Sequence, residues 1–149
     1  MPMSNPVMTD PLPLAERLIA CSSVTPARGP VFDALEAMLT PLGFEVDRFI
    51  MGDAPGGPVE NLIALRSNGG GTHFAFAGHL DVVPPGEGWS RDPFTPVIEG
   101  DLLFGRGSGD AKASVVSMLH ALGDVAASGR ALRGRALGIF SYGEETRNA

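Results

Sequence analysis

The 149-residue sequence is 44% hydrophobic and 19% charged, the composition of a globular chain and too apolar for intrinsic disorder. A formal charge of −6 and a pI near 4.9 leave no basic face for a phosphate backbone, which argues against a nucleic-acid partner. No window approaches the length of a membrane span, MPMSNPVMTDPL lacks the basic and apolar segments of a leader, and the lone Cys21 has no internal disulfide partner, so the expectation is a cytoplasmic protein with no membrane partner.

In chain order, Thr9 or Asp10 is expected to cap a first helix with prolines in its opening turn and Leu14, Leu18 and Ile19 on one face. Val31, Leu35, Met38, Leu39 and Leu42 recur at helical spacing, and Gly43 stands where a helix C-terminus favours a left-handed residue. FEVDRFI, NLIALR and THFAFAG predict three short strands, separated by the turn-forming stretches DAPGGPVE and SNGGG. Their nearly continuous apolar runs suggest strands covered on both faces. TPVIEGDLLF reads as a hairpin around Glu99, Gly100 and Asp101. Residues 111 to about 128 carry Val115, Met118, Leu119, Leu122 and Val125 as one helical face, and RALGIFS predicts a final strand. The alternation places the chain in the α/β class, without internal repeats, low-complexity tracts or an inner linker.

Polar residues collect where these strands run out. His79 and Asp81, two apart, point the same way in extended backbone, the spacing of a metal-binding imidazole and the acceptor that fixes its other nitrogen. The alternative is a strand-end His and an Asp that opens the turn before Pro84 and Pro85. Asp110 follows the glycine-rich GRGSG and is either a helix cap or a site carboxylate. Glu144 and Glu145, beyond RALGIFS, are either solvated charges after a turn at Tyr142 and Gly143 or a pair able to divide metal binding and proton transfer. Ligands of open α/β sheets gather beyond the carboxyl ends of strands, which would bring these groups together.

Other residues carry plainer readings. GRGSGD lacks the Gly-Lys-Ser/Thr ending of a phosphate loop, so a nucleotide site is not expected. Trp89, Pro93 and Phe94 read as packing anchors and Cys21 as small and buried. Arg106 and Lys112 flank the polar residues and either meet a carboxylate substrate or form structural ion pairs.

GHLDVVPPGEGW, GRGSGDAKAS and the Glu-Glu pair of SYGEET resemble the three N-terminal signatures of the two-zinc aminoacylase and carboxypeptidase superfamily, from about Leu14 onward. Within it, ENLIAL and DPFTP are most similar to the desuccinylases of N-succinyl-diaminopimelate, with acetylornithine deacetylases next. The resemblance implies a three-layer sandwich around a mostly parallel mixed sheet. It also implies two divalent ions, zinc or substituting cobalt: His79 binding one, Asp110 bridging both, Glu145 binding the second. Asp81 would orient His79, Glu144 would act as general base and acid on a small N-acyl amino acid, and the Asp110–Ala111 peptide would be cis. Ala111 and Ala113 depart from the family's usual Met and Gly. Residues 1–149 would then form part of a metallohydrolase domain, with the remaining ligands and the domain that builds a homodimer lying outside them; the alternatives are a truncated inactive pseudo-enzyme or a non-catalytic binding module that reuses the fold.

Overall fold

The computed structural model describes residues 10–25, 29–52, 57–67, 70–128, 134–141 and 144–145. Helix α1 (Leu12–Ala20) begins behind Pro11, and Asp10 Oδ1 accepts the Leu12 N–H at 2.9 Å. Thr9, the other expected cap, lies outside the described residues. Helix α2 (Pro30–Leu39) tightens into a 3₁₀ turn over Thr40–Leu42, where Pro41 has no N–H to continue the ladder, and stops at Gly43 with φ 79°.

Strands β1 (Glu45–Met51), β2 (Val59–Ser67) and β3 (Thr72–His79) fall where the apolar runs predict them. β4 (Val97–Glu99) and β5 (Leu102–Phe104) form the expected hairpin, and α3 (Lys112–Ala127) leads toward β6 (Gly134–Ser141). The main sheet has the order β1-β2-β6-β3. It is mixed, as expected, but not mostly parallel: β1–β2 and β2–β6 are antiparallel and only β6–β3 is parallel. Apolar runs report burial and not strand direction, so this difference left no trace in the sequence pattern.

The described helices pack on one face of this sheet. Leu62, Ala64, Ala136 and Phe140 face all three helices in one cluster with Leu18, Phe32, Leu35, Leu39, Val115 and Leu119. On the reverse face Ile139 is 40% exposed and Ile63, Leu65 and Leu137 are half-buried.

One close approach bears on where the strand-end residues gather. A Cβ at Gly78 would stand 3.1 Å from Val115 Cγ2, so the start of α3 lies directly over the end of β3. Val125, expected on the buried face of α3, is 39% exposed and lines an apolar groove of about 340 Å³ with Phe74, Phe76 and Leu122. That groove includes none of the polar strand-end residues.

Candidate metal centre

Parallel strands β3 and β6 end together, with His79 paired to Ser141. Leu80 N–H then donates to Ser141 O at 3.1 Å, carrying the pairing one residue further. Beyond it the chain exchanges partners: Ser23 Oγ donates to Leu80 O at 2.7 Å, Val82 N–H to Ser23 O at 3.0 Å and Thr25 N–H to Val82 O at 3.1 Å. This short parallel bridge holds Asp81 fully buried just past the strand end.

His79 stands between the remaining groups. Its Nδ1 lies 3.1 Å from the Asp81 carbonyl oxygen and 3.4 Å from Asp81 Oδ1, and its Nε2 lies 3.2 Å from Asp110 Oδ1 and 4.0 Å from Glu144 Oε2. The backbone carbonyl of Asp81 is thus the shorter contact of the ring, with the carboxylate just behind it. Asp81 Oδ2 accepts the Glu145 N–H at 3.0 Å, a second task that the His-x-Asp spacing gave no hint of. Burial pushes the His79 pKa down, but the Asp81 carbonyl and the carboxylates of Asp81 and Asp110 outweigh it and hold the imidazole above its ordinary value. Glu145 is raised, by burial first and then by repulsion from Asp110 and Glu144.

Asp110 is not used as a helix cap. Ala111 holds that position without a side-chain hydrogen bond, and the Asp110 carboxylate is 81% exposed. The Asp110–Ala111 peptide is cis. Glu145 is buried while the Glu144 side chain is 55% exposed, so the adjacent carboxylates occupy different surroundings. Tyr142 and Gly143, where a turn is expected, lie outside the described residues.

A divalent cation fits what these residues offer. One donor atom each from His79, Asp110 and Glu145 lies within 4.8 Å of the others, a mixed nitrogen and oxygen set of the kind zinc takes. Among the described residues Asp81 Oδ1 is buried without a hydrogen-bond partner, with His79 Nδ1 3.4 Å away.

Among the described residues neither flanking cation forms an ion pair. Arg106 Nη2 donates to Pro85 O at 2.7 Å and its guanidinium lies 5.3 Å from the centre of the Trp89 ring, while Trp89 Nε1 donates to the same carbonyl at 3.0 Å. Trp89, expected as a packing anchor, is instead exposed, with Arg106 over its ring. Lys112 is fully buried and donates to Cys21 O at 2.9 Å, and burial pushes its pKa down to about 8. Cys21 is only half-buried, with its thiol donating to Arg17 O.

The family model for peptidase family M20/M25/M40 matches residues 75–149, the stretch that holds every polar residue of this cluster. The chain belongs to that family. It is 59% identical over 119 residues to the succinyl-diaminopimelate desuccinylase of Novosphingobium aromaticivorans, covering 79% of this chain and 32% of that one. It is 61% identical over 112 residues to that of Sphingopyxis alaskensis, covering 75% and 30%. The chain therefore spans about a third of the length of these M20 relatives.

Solved structures carry the same fold at lower identity. Human carnosine dipeptidase 1 superposes with a TM-score of 0.77 at 24% identity, covering 93% of this chain and 33% of that one. An M20 family metallo-carboxypeptidase from Sulfolobus solfataricus gives 0.73 at 21%, covering 93% and 31%.

Proposed function

We propose that these residues are the first part of a metal-dependent amide hydrolase that converts N-succinyl-LL-2,6-diaminopimelate and water to succinate and LL-2,6-diaminopimelate. The observation that carries the substrate is the high identity to the desuccinylases, across more than three quarters of this chain. The mixed donor cluster supports the reaction type. His79, Asp110 and Glu145 would hold divalent ions, with Asp110 shared between two of them and the remaining ligands supplied from outside residues 1–149. Bound zinc or cobalt would polarise the amide carbonyl and lower the pKa of water.

The chain's own residues do the rest. The Asp81 carbonyl would accept a hydrogen bond from the Nδ1–H of His79, the tautomer that leaves the Nε2 lone pair free for a cation. Asp81 Oδ2 holds the Glu145 backbone against the same strand end. Glu144, more exposed than Glu145 and 4.0 Å from His79 Nε2, is placed to take a proton from the attacking water and return it to the leaving amine. The setting this implies is lysine and diaminopimelate synthesis in the cytoplasm, by a homodimeric protein.

The test is a chimera in which this chain replaces the matching third of the Novosphingobium aromaticivorans desuccinylase. Zinc-dependent release of succinate from N-succinyl-LL-2,6-diaminopimelate is expected. Cleavage of N-acetylornithine instead would overturn the substrate, and cleavage of neither by a folded, metal-loaded chimera would overturn the reading as a hydrolase.

A further inference from the structure

We infer that Lys112 is a positioning residue, the tie that holds the Asp110 loop against the segment carrying His79 and Asp81. The inference rests on the reading of His79, Asp110 and Glu145 as metal ligands.

Lys112 is fully buried, yet among the described residues its ammonium has one hydrogen-bond acceptor, Cys21 O at 2.9 Å. An ammonium has three donors, and an apolar side chain of similar volume would fill the same space without an uncompensated charge. Packing alone does not account for a lysine here. Its connections do.

At one end, the Lys112 N–H donates to Gly107 O at 3.0 Å, closing the turn that contains Asp110. Gly107 has φ 86°, and a Cβ there would meet Val82 Cγ1 at 2.8 Å and Lys112 Cδ at 3.1 Å, so the loop backbone lies directly on the lysine stem. At the other end, the ammonium reaches Cys21, two residues before Ser23. Ser23 is the residue that binds Leu80 O and Val82 N–H on either side of Asp81. One side chain thus joins the Asp110 turn to the bridge that fixes the His79–Asp81 segment. No other described hydrogen bond links residues 107–112 to residues 21–25.

The test uses the chimera described above and cobalt(II), whose visible absorption reports both affinity and ligand geometry, together with thermal unfolding. Lys112→Met keeps the stem and removes the tie. It should weaken cobalt binding roughly 10- to 100-fold and change the absorption bands, with an unfolding midpoint equal to or above the parent's. Gly107→Ala, which drives a methyl group against Val82 and the Lys112 stem, should change the bands in the same direction. Leu35→Ala on α2 should lower the midpoint and leave the bands alone.

Parent-like affinity and bands in Lys112→Met would overturn the inference and leave the metal centre standing. If Lys112→Met does not fold, parent-like bands in Gly107→Ala overturn it equally. A parent chimera that binds no cobalt, or one whose binding is untouched by Asp110→Asn, would remove the metal centre itself, and this inference with it.

Discussion

The Glu145 N–H donates to Asp81 Oδ2 at 3.0 Å, across 64 residues of sequence and with the acceptor fully buried. A carboxylate beside the imidazole therefore also fixes the backbone of a proposed ligand on a different strand end. Asp81→Ala strands that N–H and removes the negative charge beside His79. It should cost about 1–3 kcal/mol of stability, read by urea unfolding, and weaken cobalt binding in the same variant. Unchanged unfolding would mean that the bond contributes nothing to the fold.

Glu144 and Glu145 should separate by phenotype in the chimera described above. Glu144→Gln removes a proton carrier and no ligand, so kcat should fall roughly 10²- to 10⁴-fold while bound metal stays at the parent level. Glu145→Gln should lose metal as well as turnover. Metal analysis beside steady-state kinetics distinguishes them, and equal metal loss in both variants would refute the division of roles.

Trp89 is the only tryptophan in the chain, so its fluorescence reports one loop. Arg106→Ala removes both the guanidinium over the ring and a donor to Pro85 O. Emission from Trp89 should move to longer wavelength and become more open to acrylamide quenching. The stability change should be about 0.5–1 kcal/mol, since the ring is partly exposed already. A spectrum identical to the parent's would show that Arg106 does not hold the loop.

Arg48 crosses from β1 to α2. It pairs with Asp33 at 2.6 Å, Glu36 at 3.2 Å and Glu60 at 2.6 Å, with its guanidinium 5.8 Å from the Phe32 ring centre. Arg48→Met keeps the stem over Phe32 and leaves three carboxylates unpaired. A loss of about 1–2 kcal/mol is expected, moderated because Asp33 and Glu36 reach water. The loss should shrink in high salt, where the freed carboxylates repel one another less. A loss independent of salt would assign the effect to packing.

Helices, strands and the β4–β5 hairpin were legible because each writes its own period or turn chemistry into a dozen contiguous residues. The candidate site residues stood out for another reason: His79, Asp110, Glu144 and Glu145 all interrupt apolar or glycine-rich stretches at element ends, where a polar residue needs explaining. What stayed hidden depends on residues far apart. Nothing in RALGIFS says that β6 enters between β2 and β3, antiparallel to one and parallel to the other. Lys112 carries no local sign of burial either, because its acceptor is a backbone carbonyl 91 positions away, and any residue type could have supplied that oxygen. Ser23 is illegible in the same way, a hydroxyl whose partner is another main-chain oxygen.

Order along the chain and order across the sheet disagree in one place, and a ribosome would meet the difference. β6 is the last described strand to be made, yet it occupies an interior position in β1-β2-β6-β3. Until it emerges, the β1–β2 hairpin and β3 have no hydrogen bonds to each other, and both present open edges to the cellular interior. The arrival of one strand then closes the gap and, a few residues later, delivers Glu144 and Glu145 to the end of β3 where His79 waits. A nascent chain stopped short of residue 134 would therefore be a client for chaperones, with two unjoined pieces of sheet and no centre to bind an ion.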